Sequence, residues 1–523
     1  MFLIEETTNS LNSFELFARF EADSYSFFLD SGMNYEKLGR YSFMSSEPFL
    51  IFRSKGKRAE FISPPNKGRG DFSGRVEQVE GDPFELLRPI LERFSCPITP
   101  NSPLFPGGAV GYFAYDLGRF IEDLPDTTFD DIQIPDCYFA FYDTVVVIDH
   151  ILNKTYLCSC GFPESGKKAE QRAKERLQWL QRKISDNYKP KIENKGHESL
   201  REKKMARDKR ANTPPAPLGK GDGKEGKGQM FSPPVTLLSS DVSLPKKNII
   251  PNFTKDAYIK AIKRAKQYIA AGDIYQVNLS QRFTADLNIH PYDLYTRLRT
   301  RNPAPFAAYL SFDDVAIVSS SPERFLQFFA DTRMVYTRPI KGTRPRGATP
   351  KEDAKLADEL VNSEKDRAEL IMIVDLERND LGRVCEIGSV HVPELIVLEK
   401  YPTVYHLVST VAGKLPKNKD RIDLLKATFP GGSITGTPKI RSMEIINELE
   451  PTNRSVYTGA IGYLSFTGNM DLNIVIRTFI IHNGKAYFQV GGGIVADSDP
   501  EAEYQETLDK ARALFDALEA LME

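Results

Sequence analysis

The chain has 523 residues, with 69 Lys and Arg against 71 Asp and Glu and a formal net charge of −2. That length exceeds one ordinary core, so two structural lobes are expected, and the near-neutral balance with dispersed basic residues excludes an extended nucleic-acid face. No apolar run approaches the ~20 residues of a membrane-spanning helix, and Met1 to Asn9 is polar rather than signal-like, so a cytoplasmic protein with a small-molecule partner is the expectation.

Residues 1–185 read as an N-terminal lobe of short alternating stretches and glycine turns. Within it, Phe139 to Ile148 predicts a buried strand. The small residues of Gly107-Gly108-Ala109-Val110-Gly111 allow close strand packing. A Pro/Gly/Lys tract around Ser63 to Asp71 marks an insertion near 55–80. Residues 186–245 turn Lys-, Pro- and Gly-rich and read as disordered linker, with a partner-binding tail as the alternative.

The second lobe, 246–523, opens with Thr254 as an N-cap. Tyr258, Ala261, Ile262, Ala265 and Ile269 then follow at helical spacing up to Gly272. In the strand that follows, Gln276, Asn278 and Ser280 share one face. Further strands are predicted about 316–319, 460–466, 471–481 and 485–490, with helices about 351–376 and 502–521. The pattern is an α+β architecture of large mixed or antiparallel sheets with outer helices. The five cysteines (Cys96, Cys137, Cys158, Cys160 and Cys385) show no Cys-x-x-Cys spacing and read as reduced thiols.

Chemistry concentrates in this second half. In Pro339-Ile340-Lys341-Gly342-Thr343-Arg344-Pro345-Arg346-Gly347, a lysine shares what reads as a short loop with two arginines. Crowded cations favour a neutral, nucleophilic amine, which at neutral pH needs a depression of ~2–3 units; the competing reading is a clamp for an anion. Two acidic pairs recur at i and i+3, Asp366 with Glu369 and Glu503 with Glu506, each on a predicted helix. Alone, either pair is a solvated helix face. Converging, an oxygen-only set favours Mg²⁺. Gly491-Gly492-Gly493 lets backbone N–H groups approach an anion, and Lys510 follows Glu506 by one turn, where it could hold a ligand carboxylate or that glutamate. His406 sits among apolar neighbours, a setting more often structural than catalytic.

Six segments in fixed order, Gly272 to Leu279, Ser321 to Phe325, Asp366 to Glu369, Val374-Asp375-Leu376-Glu377-Arg378-Asn379-Asp380, Gly431 to Lys439 and Glu503 to Thr507, resemble the chorismate-utilising enzymes over essentially all of 250–520. The family includes component I of anthranilate synthase and of aminodeoxychorismate synthase, and the isochorismate and salicylate synthases. The resemblance implies two intertwined lobes. It implies Glu369 and Glu506 as Mg²⁺ ligands, with Asp366 and Glu503 supporting the metal through water. The metal would bind the ring carboxylate of chorismate. Arg477 and Tyr457 match substrate-binding positions, and Gln276, Gly342, Thr343, Gly491, Gly493 and Lys510 are the further substrate-binding candidates. Glu323 matches the general acid, with the wall of Phe325 to raise its pKa, and His406 a histidine near the departing hydroxyl.

Within the family, water-activating members carry a lysine where this chain has Gln276, and anthranilate synthases carry alanine where it has Lys341. Component I of aminodeoxychorismate synthase typically has that lysine. The resemblance therefore implies amination of chorismate to 4-amino-4-deoxychorismate, with Lys341 attacking the ring and ammonia displacing it. Component I of anthranilate synthase is the alternative within the family. A non-catalytic chorismate-binding activator subunit is the reading from another class. No Gly-x-Cys-x-Gly setting marks a glutaminase in this sequence, so a separate glutamine amidotransferase subunit, or free ammonia, is expected. Leu29-Asp30-Ser31 echoes the Leu-Glu-Ser stretch near which anthranilate synthases bind tryptophan. Leu370 stands where family members often carry a polar residue.

Overall fold

Two antiparallel sheets of twelve strands each carry the chain. The computed structural model describes residues 2–7, 11–33, 38–64, 74–98, 102–185, 188, 249–401 and 404–519. The expected linker at 186–245 lies, apart from residue 188, outside the described residues. The described residues up to 184 and from 249 to 519 pack as one unit.

The first sheet runs, edge to edge, Leu3–Thr7, Lys154–Ser159, Thr144–Asp149, Tyr41–Ser45, Ser26–Asp30, Phe306–Phe312, Val315–Ser321, Thr478–His482, Lys485–Ile494, Gln276–Asp286 and Ile249–Pro251, with Gly436–Thr437 beside Gln276. The second runs Ile340–Pro345, Val404–Lys414, Met334–Arg338, Arg324–Phe328, Met470–Ile474, Ala460–Ser465, Gly108–Phe113, Cys137–Tyr142, Leu50–Lys55, Arg58–Ser63 and Arg75–Glu80, with His391–Lys400 also on Val404–Lys414. Both sheets draw strands from before residue 185 and after 249. The lobes are thus intertwined in the literal sense that neither half of the sequence closes a sheet alone.

Physical punctuation explains where the predicted elements break. The run Phe139 to Ile148 is two strands in different sheets, separated at Asp143, whose buried carboxylate takes Arg172 and Arg176. The predicted strand 471–481 likewise divides into Met470–Ile474 and Thr478–His482, with Arg477 at φ 51° in the crossing. The predicted helix 351–376 is two, Pro350–Val361 and Glu364–Gly382, because Ser363 caps the second through Asp366 N–H. Thr254 and Gly272 do bound the helix Lys255–Ala271, the glycine at φ 83°. Of the stretch read as an insertion, Arg58–Ser63 and Arg75–Glu80 are paired strands, the second at the sheet's edge, and 65–73 lies outside the described residues. At Gly111 a Cβ would stand 1.9 Å from the Tyr138 carbonyl oxygen, so strand approach is what its missing side chain serves. All five cysteines are buried and free. No helix among the described residues is long and apolar enough to cross a membrane.

Candidate functional site

The Lys341 segment is a strand rather than a loop. Ile340–Pro345 pairs antiparallel with Val404–Lys414, and its register shifts between Lys341 and Thr343, where Gly342 adopts φ 77°. A Cβ on Gly342 would press to 2.9 Å from the Asp366 side chain, so only glycine fits the kink. The kink turns Lys341 toward the Glu364–Gly382 helix, and its Nζ stands 3.7 Å from Glu369 Oε2. The expected crowding by arginines is not what surrounds it. Arg344 is engaged by Asp366 at 3.0 Å and Arg346 by both oxygens of Asp353 at 2.7 Å, so each arginine is already spoken for by a carboxylate.

Four carboxylates were expected to converge; among the described residues no group of three or more His, Cys, Asp and Glu does so. Instead two pairs are held by cations. Lys510 Nζ lies 2.8 Å from Glu506 Oε1 and donates to the Gly491 carbonyl, while Glu503 accepts from Ser498 at 2.6 Å. Lys365, four residues before Glu369, reaches its other oxygen at 4.0 Å. Lys510, Lys365 and Lys341 together work against burial and hold the Glu506 carboxyl below its ordinary range. Burial pushes Glu503 the other way, helped by the charge of Glu506. Lysines thus span the space between the two helices, and Gly492 keeps that space open: a Cβ there would lie 3.2 Å from Glu503 Oε2 and 3.9 Å from Glu506 Oε1.

Glu323 is buried and pushed up to about 7 by that burial, against the opposing pull of the charges of Lys341 and Arg477. A carboxyl titrating there can carry a proton at neutral pH. Arg477 is partly buried, and that burial lowers its pKa against the pull of the Glu323 charge. His406 Nδ1 lies 2.8 Å from Thr343 Oγ1. Burial and then the charge of Arg477 push His406 down to about 4, so its ring is neutral at physiological pH. Gln276 is buried, and neither its amide nitrogen nor its oxygen has a protein partner. A Cβ on Gly493 would fall 2.7 Å from that nitrogen and 3.4 Å from Lys341 Nζ, which places glutamine, glycine and lysine around one small space. Tyr457 is buried beside Asn278, on the strand of Gln276, and joins the site through that strand.

Three contributors carried no role in the sequence reading. Ser433 sits in the Gly431–Lys439 motif, Glu377 in the Val374–Asp380 motif, and Lys365 at the i, i+4 position before Glu369. The last spacing was the one usable signal.

A helix, a kinked strand and a glycine strand thus frame cations, buried amides and a protonated carboxyl, an arrangement suited to a small polyanion. The sequence model of the chorismate binding enzyme family matches residues 223–516. This chain belongs to that family. It is 39% identical over 505 residues to anthranilate synthase component 1 of Acetivibrio thermocellus, covering 96% of this chain and 92% of that one. It is equally 39% identical over 505 residues to aminodeoxychorismate synthase component 1 of Escherichia coli (strain K12), covering 96% and 95%. The crystal structure of anthranilate synthase component I from Streptococcus pneumoniae superposes with a TM-score of 0.69 at 29% identity, covering 98% of this chain and 99% of that one. The chain is therefore a chorismate-utilising enzyme of the intertwined two-sheet fold. The two relatives named carry different reactions at the same identity.

Away from this site a cavity of about 360 Å³ opens between the sheets, lined among others by Leu29, Asp30, Ser31, Phe306, Ile461 and Tyr463. Its Asp30 carboxylate is taken by Arg299 and, at 3.0 Å, by the Tyr295 hydroxyl.

Proposed function

We propose that this chain is component I of an aminodeoxychorismate synthase, aminating chorismate to 4-amino-4-deoxychorismate. The observation that carries the reading is the placement of Lys341. Its Nζ shares one small space with Gly493 and the unpartnered Gln276 amide, and its charge is felt by buried Glu323. A primary amine and a carboxyl able to carry a proton in one site suit displacement of a ring hydroxyl. In the proposed step the Lys341 amine forms a bond to the ring, the double bond shifts, and the hydroxyl leaves as water with the proton of Glu323. Ammonia then bonds at the carbon that carried the hydroxyl, and the lysine is expelled. Gln276 is neutral and offers no base for water, which sets this reading against the isochorismate-forming one.

Arg477 supplies a planar fork for a substrate carboxylate, and the backbone of Gly491 and Gly493 supplies N–H groups. His406, neutral and fixed by Thr343, orients the departing hydroxyl without adding charge. Mg²⁺ fits the other end of the site. The donors are oxygens only, two carboxylates suffice for an ion that keeps its waters, and Gly492 leaves room over them. Glu369 and Glu506 would hold the ion, with Asp366 and Glu503 behind, and bound there it supplies Lewis-acid polarisation of a substrate carboxylate. The ammonia source would be a glutamine amidotransferase subunit, in keeping with the component naming of the relatives. Tryptophan is the proposed occupant of the cavity beside Leu29-Asp30-Ser31, where an aromatic and partly polar lining suits an aromatic amino acid.

The deciding experiment is incubation of the purified chain with chorismate, Mg²⁺ and ammonium, with products resolved by chromatography and mass. Aminodeoxychorismate supports the reading. Anthranilate with pyruvate would instead make the chain an anthranilate synthase component and Lys341 a clamp.

A further inference from the structure

Around His406 the sheet carries buried polar groups that the proposed reaction leaves without a role. The strand Val404–Lys414 lies between two partners, and His406 stands directly opposite Thr343 on one of them and Glu399 on the other. Directly opposed residues of antiparallel strands present their side chains on one face, so Thr343, His406 and Glu399 form a row across three strands. At one end of the row Thr343 Oγ1 lies 2.8 Å from His406 Nδ1. At the other, Glu399 Oε2 accepts from the Tyr401 hydroxyl at 2.7 Å. The Tyr401 ring meets the His406 ring edge-on, with centroids 5.3 Å apart and an interplanar angle of 65°. His406, Glu399 and Tyr401 are all buried.

The Glu399 carboxylate has little freedom. Arg338, also buried, sets its Nη1 2.9 Å from Glu399 Oε1, off the line of a hydrogen bond. Its other nitrogens are occupied: Nη2 donates to Glu394 Oε2 at 3.0 Å and Nε to Thr410 Oγ1 at 3.2 Å. A buried carboxylate is tolerated when a counter-charge and hydrogen bonds answer it, and here Arg338 answers one oxygen and the phenol the other. The Tyr401 backbone is pinned as well. Its N–H donates to the Val404 carbonyl at 2.8 Å, and its carbonyl accepts from Arg346 Nη1 at 2.9 Å. A phenylalanine would fill the same space, so what the hydroxyl adds is a fixed direction for the ring that meets the imidazole.

We propose that Glu399 and Tyr401 are positioning residues for His406: Arg338 fixes the carboxylate, the carboxylate fixes the phenol, and the phenol ring holds the imidazole at one tilt toward the departing hydroxyl. The inference rests on the reading of His406 as the group that orients that hydroxyl. An imidazole pinned only at Nδ1 still rocks about its bond to Thr343, and contact with a ring that is itself held removes that motion. Because both residues act through the imidazole, their loss belongs in kcat rather than in KM.

The test assays Tyr401→Phe, Glu399→Gln, His406→Asn and the double variant Tyr401→Phe with His406→Asn, using chorismate, Mg²⁺ and ammonium, with kcat, KM and Tm measured for each. Tyr401→Phe keeps the ring and loses only the bond to Glu399, so kcat should fall about tenfold with KM for chorismate unchanged. Glu399→Gln keeps an acceptor for the phenol and should hold kcat within about threefold of wild type. His406→Asn should lower kcat about 10²-fold, and in that background Tyr401→Phe should cost nothing more. A purely structural pair would lower Tm and leave the kcat of the folded enzyme intact. With His406→Asn impaired, three results overturn this inference alone: an unchanged kcat in Tyr401→Phe, a drop of the same size in both backgrounds, or a larger loss in Glu399→Gln than in Tyr401→Phe. Wild-type kcat in His406→Asn overturns the reading of His406, and the inference with it.

Discussion

Lys341 Nζ faces Glu369 Oε2 across 3.7 Å, so the amine proposed to attack chorismate and a carboxylate proposed to hold the metal share one contact. The sequence reading placed Lys341 among arginines; the fold gives both arginines to Asp366 and Asp353 and turns the lysine to the acidic helix. Its reactivity is consequently tied to what occupies Glu369.

Lys341→Ala should reduce aminodeoxychorismate formation to background while chorismate binding weakens by less than about tenfold, since Arg477 and the glycine backbone remain. Lys341→Arg keeps the charge but not an attacking amine, and should fail to restore turnover. Product analysis beside calorimetric chorismate binding checks both. Recovery of turnover by arginine would show that the position needs only a cation.

Gly493→Ala probes the space between Gln276 and Lys341. The new Cβ would stand 2.7 Å from the Gln276 amide nitrogen, and the side chain would have to shift toward the substrate volume. The backbone at Gly493 is not left-handed, so the change should spare folding. The expected result is a raised KM and a lowered kcat with an almost unchanged Tm, read by steady-state kinetics and thermal melts.

Glu323 makes a signed pH prediction. Its carboxyl titrates at about 7 in the fold against 4.5 for the free side chain, so the folded state holds an extra proton between those values. Stability therefore falls as pH rises through that window, and above 7 the buried charge costs on the order of 3 kcal/mol. Glu323→Gln should be more stable than wild type at pH 8 and nearly matched at pH 4, while kcat drops by about 10²- to 10⁴-fold. Denaturant melts at the two pH values, with kinetics, check both parts.

What could be read from the sequence divides along a physical line. Local rules set by neighbours a few residues apart held up: the Thr254 cap, the Gly272 stop, the i, i+3 acidic pairs on helices. Breaks caused by distant partners could not be read, because Asp143 ends a strand only when Arg172 and Arg176 reach it, and Arg477 crosses between sheets only in the assembled fold. The same holds for the site. Gln276 was visible as one face of a strand, but its proximity to Gly493 and Lys341 depends on pairing across more than 200 residues, and Glu377 was an unremarked member of a motif until the fold laid it against Gly432.

The cavity beside Leu29-Asp30-Ser31 gives a ligand prediction independent of turnover. L-Tryptophan should raise the Tm of the purified chain in a saturable manner, by the free energy expected for a ligand that binds only the folded state, about 2.7 kcal/mol at 100 times Kd. Tyr463→Ala, which opens one wall of the cavity, should abolish the shift. Flat melts across the titration would remove tryptophan as its occupant. A titration of activity in parallel separates regulation from mere occupancy.

The Arg454–Glu450 pair should be the most sensitive structural point behind the site. Both side chains are 1% exposed and bonded at 2.7 Å, and Arg454 also donates to the carbonyls of Asn278 and Ile434. Glu450 in turn accepts from the backbone and side chain of Ser280 at 2.9 and 2.7 Å. One ion pair thus ties the Gln276 strand to the turn that carries Ser433. Arg454→Met leaves Glu450 buried without its counter-charge, which costs about 3–5 kcal/mol. Replacing both, Arg454→Met with Glu450→Leu, removes the stranded charge and should regain most of that stability. It should not regain kcat, because the carbonyls of Asn278 and Ile434 lose the guanidinium that sets their spacing. Denaturant melts of the single and double variants, followed by kcat for each, distinguish a pair that only stabilises the fold from one that also sets the geometry of the site.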